Sequence, residues 1–303
     1  MEYVIQTENL CRQFGKVSAV SNLSLNVPKG SVYGFLGPNG AGKTTTIKLL
    51  LGLTKPSSGT IRVLGQPAAS KNYLHRIGFV PDVPNFYSWM RGDEFLTFVG
   101  KLFAIPHDEL KKRQAELLDI TGLEGVKTKI GGYSRGMKQR LGLAQALINQ
   151  PDLVFMDEPT SALDPIGRKE ILETISRISH GCTVFFSTHI LTDVERVCDQ
   201  VGIINRGELV IEETIEELHK RYARNAILLE VTGDPAPFIE ALKSKEWVQT
   251  AEQQKDSILL TVFDLGAAQH EIPALVAHYH LGLHKLEQAE MNLEEIFVKL
   301  VKP

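Results

Sequence analysis

The chain has 303 residues and a mass of 33.6 kDa, enough for about two domains with a sizeable core. Apolar residues make up 43% and charged residues 23%, which excludes disordered, collagenous and disulfide-scaffold classes. A net charge of −3 and a pI near 6.3 argue against a protein that holds nucleic acid by bulk neutralisation of phosphates, so no nucleic-acid partner is expected.

In chain order, Tyr3-Val4-Ile5 and Ser31-Val32-Tyr33-Gly34-Phe35-Leu36 read as strands. Gly42 to Gly52 reads as a helix with Ile47, Leu50 and Leu51 on its apolar face, ended by Gly52 and Pro56. Gly59 to Gly65 is a short strand bounded by glycines, and Gly92 to about Gly122 is helical in two pieces parted near Pro106. Ser134 to Asn149 is a further helix, with Ser134 as its N-cap and Leu141, Ala144, Leu147 and Ile148 as its buried stripe. Leu153 to Met156 and Thr183 to Ser187 are continuous apolar runs, the pattern of parallel strands covered on both faces, and a helix from Pro165 to His180 separates them. Strand, helix, strand with short connections is the grammar of a layered α/β domain. Beyond Arg221 the expected order is strand 226–232, helix 236–244, strands near 247–251 and 257–263, helix 268–279, strand 282–288 and helix 291–301, a small split β-α-β sandwich.

Cys11, Cys182 and Cys198 are odd in number and widely spaced. They suit neither a disulfide framework nor a thiolate zinc cage, and a reducing compartment is expected. The start, Met1-Glu2-Tyr3-Val4-Ile5-Gln6, lacks the basic and apolar regions of a signal peptide. No apolar run approaches the ~18 residues that spanning a bilayer requires. If membranes matter, another chain must supply the span.

Gly37-Pro38-Asn39-Gly40-Ala41-Gly42-Lys43-Thr44 matches the pattern G-x-x-x-x-G-K-[ST] between an expected strand and an expected helix. Glycines let the backbone N–H groups wrap a polyphosphate, and the helix N-terminus adds a field that favours negative charge. Lys43 is expected on the terminal phosphates and the Thr44 hydroxyl on Mg²⁺, with Thr45 continuing the loop into the helix. No Asn-Lys-x-Asp is present to read guanine. Further on, Leu153-Val154-Phe155-Met156 ends in Asp157-Glu158-Pro159. Asp157, at a strand's carboxyl end, is placed to hold Mg²⁺, and Glu158 to orient the water that attacks the γ-phosphate.

Between these motifs lies Tyr133-Ser134-Arg135-Gly136-Met137. Here the sequence resembles the ATP-binding subunits of ABC transporters, whose signature has the form Leu-Ser-Gly-Gly-Gln. Ser134 and Gly136 match it; Tyr133, Arg135 and Met137 depart from it in a manner similar to the bacterial drug- and antibiotic-export branch. The resemblance spans residues 3 to about 220 in motif order. It implies a P-loop NTPase cassette over residues 1–222, with a RecA-like core, an antiparallel β subdomain and a helical subdomain at about 83–135. A small α+β accessory domain would follow at 223–303, like the tails of antibiotic- and sodium-export cassettes.

The resemblance also implies roles. Ser134 and Gly136 would bind the γ-phosphate of a nucleotide held by an opposite subunit, and Asp164, in Ser161-Ala162-Leu163-Asp164, would lie on the loop that crosses between subunits. Phe14 stands where the family stacks an aromatic on adenine, and His189 where it places a γ-phosphate-sensing histidine. Asp82, in Phe79-Val80-Pro81-Asp82, stands in place of the family's glutamine. A carboxylate can contact Mg²⁺ or its waters but cannot donate a hydrogen bond when ionised; a site role and a plain turn both fit. Phe86, Tyr87, Trp89 and Met90 lie where the family docks separate transmembrane permease subunits. The implied protein is an ATPase that works as a homodimer or heterodimer of cassettes, peripheral on the inner face of the cell membrane, with ATP and Mg²⁺ and an exported drug-, antibiotic-peptide- or lipid-like cargo. The rival reading is a soluble ABC-type ATPase of translation or DNA maintenance. The single phosphate loop and the absence of a long heptad insertion speak against it.

Overall fold

The computed structural model describes residues 2–301 apart from Ala162, His180, Ala223, Arg224, Lys255, Asp256 and residues 290–292. The expected helix end at His180, Ala162 of the crossing loop and the start of the last helix at 291–292 lie outside the described residues. Two compact units divide the chain, residues 1–215 with 300–303, and residues 216–299.

The first unit opens with β1 (Tyr3–Phe14), β2 (Val17–Leu23), β3 (Asn26–Pro28), β4 (Val32–Leu36), α1 (Lys43–Leu50), β5 (Ser58–Val63), β6 (Gln66–Pro67) and β7 (Ile77–Val80). Next come α2 (Gly92–Leu102), α3 (His107–Ile120), α4 (Arg135–Leu147), β8 (Leu153–Asp157), α5 (Pro165–Ile178), β9 (Thr183–Thr188), α6 (Leu191–Val197), β10 (Gln200–Asn205), β11 (Glu208–Thr214) and α7 (Ile215–Tyr222), the last crossing into the second unit. β1 is longer than its apolar start suggests, because it pairs antiparallel with β2, β3 and β5 in turn.

The central sheet has the order β11-β10-β4-β9-β8-β7, parallel except for β11 at its edge. Side chains alternate between its faces. In β8, Leu153 and Phe155 enter one core with Tyr33, Phe35, Ile47 and Phe185. Val154 and Met156 enter the opposite core with Phe186, Ile171 and Ile175. Burial on both sides is why these strands read as unbroken apolar runs. The helical segment has its own core, in which Phe95, Leu96 and Val99 of α2 meet Leu110 of α3 and Leu141 of α4.

The second unit comprises β12 (Ala226–Thr232), α8 (Ala236–Lys243), β13 (Val248–Gln254), β14 (Ser257–Val262), α9 (Leu265–His278), β15 (Gly282–Gln288) and α10 (Leu293–Val301, whose last two residues count with the first unit). Its antiparallel sheet, β13-β14-β12-β15, is packed by Phe238, Ile239 and Leu242 of α8 and Ala268, Ile272 and Val276 of α9. Among the described residues no helix is long and apolar enough to cross a membrane.

Candidate functional site

The loop from β4 to α1 sits at the carboxyl ends of the parallel strands, where open α/β sheets bind ligands. Gly40 and Gly42 take left-handed backbone angles, φ +79° and +111°, and a side chain on Gly42 would meet the Ala19 carbonyl at 2.4 Å. The close approach that glycine permits here sets β2 against the loop. Gly207, in the β10–β11 turn, donates its N–H to the Ala41 carbonyl at 2.9 Å. The loop is therefore braced from two sides, and Gly42 caps α1 without any side chain in the way.

Lys43 is buried. Its Nζ donates to the Gly37 carbonyl at 2.7 Å and the Pro38 carbonyl at 3.3 Å, and lies 3.1 Å from Glu158 Oε1. The other oxygen of Glu158, Oε2, is 2.8 Å from His189 Nδ1. An ionised carboxylate only accepts, so Nδ1 carries the proton of that bond. Beside this chain, Thr44 Oγ1 is 3.2 Å from Asp157 Oδ1, and the buried Ser187 hydroxyl donates to the same oxygen at 2.6 Å. One hydroxyl and one carboxylate are hard oxygen donors, the sparse protein set that suits Mg²⁺ when phosphate and water supply the rest. Lys43, Thr44, Asp157, Glu158 and His189 thus converge on one place.

Asp82 lies at the rim of that place, just past β7, the neighbour of β8. Burial pushes its carboxyl above the usual range. Arg135 and His189 act in the opposite sense, whereas Asp157 and Glu158 reinforce the rise. Asp82 therefore shares the electrostatic neighbourhood of Asp157, Glu158 and His189. Phe14 is half exposed, not core, and the Arg12 guanidinium stacks 4.4 Å from its ring centroid.

Ser134 accepts from Met137 N at 3.2 Å and caps α4 as expected; Asp164 caps α5 through Gly167 N at 3.2 Å. Among the described residues, Ser134, Gly136 and Asp164 make no hydrogen bond or ion pair with the Lys43, Thr44, Asp157, Glu158 and His189 group. Gly136 instead faces the loop of Asp164: a side chain there would lie 3.8 Å from Leu163 Cδ2. The aromatic cluster divides in two. Phe86 packs edge-on against Phe95 at 5.0 Å and Met90 joins the same helical core, while Tyr87 and Trp89 are 52% and 66% exposed, their rings 5.9 Å apart.

Two contributors escape a reading by motif. Ser187 orients Asp157, and its only sequence signal is a polar residue closing an apolar strand two positions before His189. Asp193 is fully buried on α6, where it accepts from Thr160 Oγ1 at 2.6 Å and Arg168 Nε at 2.5 Å, tying the segment after Glu158 to α5 and α6.

The sequence profile described as "ABC transporter" matches residues 20–161, and that of an "ATP-binding protein DrrA1-3-like, C-terminal domain" matches residues 214–301. The bacitracin transport ATP-binding protein BcrA of Enterococcus faecalis is 37% identical over 308 residues, 99% of this chain and 97% of its own. The linearmycin resistance ATP-binding protein LnrL of Bacillus subtilis (strain 168) is 37% identical over 309 residues, 98% of each chain. Among solved structures, cbiO1 from Clostridium perfringens, part of the ABC transporter complex cbiONQ, is 28% identical with a TM-score of 0.66, covering 72% of this chain and 91% of its own. The phosphate loop, the acidic strand end and the full-length matches converge on one conclusion: the chain belongs to the ATP-binding proteins of ABC transporters, ATPases coupled to transport.

Proposed function

We propose that Lys43, Glu158 and His189 carry ATP hydrolysis at this site, and that the chain powers export of an antibiotic-like compound through separate membrane subunits. The observation that carries the reading is the pair of contacts made by Glu158, one oxygen to Lys43 and the other to His189, beside Thr44 and Asp157. Gly37 to Thr45 wrap the triphosphate with backbone N–H groups and Lys43 meets its terminal oxygens. Thr44 and Asp157 would hold Mg²⁺, with Asp82 at its edge; the ion, when bound, offsets charge on the β and γ oxygens. Glu158 orients the attacking water and His189 fixes that carboxylate from its other side. Phe14 presents an aromatic face to adenine.

Among the described residues, Ser134, Gly136 and Asp164 make no hydrogen bond or ion pair with this group, which fits their use toward the nucleotide of a second cassette, so two chains would enclose two ATP molecules. The exposed Tyr87 and Trp89 form the face that meets a permease, while Phe86 and Met90 serve the core behind it. The bacitracin and linearmycin associations of the relatives support the cargo class, and a chain of this kind works at the inner face of the membrane.

Glu158→Gln tests the assignment, because it keeps shape and removes only the charge. Hydrolysis should fall by roughly 10²–10³-fold, as for loss of one fixed transition-state contact, while equilibrium binding of a fluorescent ATP analogue survives. Turnover near the wild-type rate would remove Glu158 from this role.

A further inference from the structure

We infer that Arg135 is a positioning residue that neutralises Asp82, and that the two act as one unit in setting how readily the site accepts a triphosphate. The inference rests on the reading of the nucleotide site given above. Each residue is electrostatically misplaced when taken alone. Asp82 follows β7 at the sheet edge where β8 already delivers Asp157 and Glu158, so it adds a third carboxylate where a polyanion is to bind. Arg135 is the first residue of α4, whose first turn contains no acidic side chain. A cation there opposes the helix dipole, which favours negative charge at that end.

The two misplacements meet. Arg135 Nη2 lies 3.4 Å from Asp82 Oδ1, with both side chains about half exposed. They are 53 residues apart in sequence, so the pair also joins the two ends of the segment that contains α2, α3 and the exposed Tyr87 and Trp89. The two side chains are opposite in charge and adjacent in space, so each offsets the misplacement of the other.

The test is a double-variant cycle on the full chain, with steady-state ATPase rates measured over a range of Mg-ATP concentrations. Arg135→Gln leaves Asp82 uncompensated and should raise KM roughly threefold to fivefold, the upper scale of a half-exposed ion pair, with kcat changed far less. Asp82→Asn in the Arg135→Gln background should return KM to within about twofold of wild type, and the Arg135→Gln defect should shrink as salt is added. A packing role would show neither the rescue nor the salt dependence. An unchanged KM in Arg135→Gln overturns the inference. So does a double variant as weak as Arg135→Gln, since Arg135 would then act on phosphate directly. Lys43→Ala separates the two levels: if it abolishes nucleotide binding while the cycle is additive, only the Asp82–Arg135 unit falls. If it binds nucleotide as wild type does, the site reading and this inference fall together.

Discussion

Glu158 holds a left-handed backbone, φ +49°, which costs a non-glycine residue of order 1–3 kcal/mol and persists only where the surroundings over-determine it. Ser187 supplies that determination. Its carbonyl accepts from Glu158 N at 3.0 Å, its hydroxyl accepts the same N–H at 3.2 Å, and its own proton goes to Asp157. Ser187→Ala removes one donor from a buried carboxylate and one acceptor from a strained N–H. It should cost about 1–3 kcal/mol of stability, seen as a lower midpoint in urea, and should lower kcat through Glu158 more than it weakens ATP binding. A variant as stable and as active as wild type would show that Ser187 is a passive neighbour. At this scale the motifs were legible because a phosphate loop demands glycines and a lysine in fixed order. The Ser187 role was not, because it depends on the parallel register that sets Asp157 opposite Ser187, and register is not written in either strand alone.

Among the elements, β8 and β9 could be read directly, since burial on both faces leaves an uninterrupted apolar run. β10 and β11 carry a weaker signal: Gly202 interrupts the apolar run of β10, and no residue of the edge strand β11 is fully buried. The structure gives Gly202 its reason. Tyr33 of β4 reaches across it, and a side chain on Gly202 would sit 2.2 Å from the Tyr33 hydroxyl, which donates to Glu212 Oε1 of β11 at 2.7 Å. Asn26 N donates to the same oxygen at 3.1 Å, so one carboxylate links β3, β4 and β11. Burial raises the Glu212 carboxyl above its ordinary value of 4.5, against the lowering effect of the Tyr33 and Asn26 bonds. A raised folded-state value means that the stability gained by protonation is present below pH 4.5 and is lost as pH rises through the folded-state value. Glutamine keeps the accepting oxygen and has no charge to desolvate. Glu212→Gln should therefore gain stability relative to wild type as the pH is raised from about 4.5 to 7, measured as the difference between their unfolding midpoints. A difference that stayed flat or fell with pH would mean that the hydrogen bonds outweigh burial.

For the whole molecule, the division into two units follows from where apolar side chains find partners. The C-terminal order of strand, helix, two strands, helix, strand and helix was legible because each piece is short, amphipathic and bounded by turn residues. The point of division was less so, since α7 begins at Ile215 and runs on through the boundary to Tyr222. Among the described residues, every member of the core built on β12, β14, α8 and α9, from Ile227 to Val276, lies within residues 216–299. A core drawn from one unit should survive excision. Residues 216–303 expressed alone should unfold in one cooperative urea transition with a stability of order 5 kcal/mol, the range for a domain of this size. The probe is built in: of the two tryptophans, Trp247 lies in this fragment and is buried at 8% exposure, so its emission should shift to the red in step with loss of far-ultraviolet circular dichroism. A broad transition, or emission already at the solvent-exposed position in buffer, would show that this core depends on the rest of the chain.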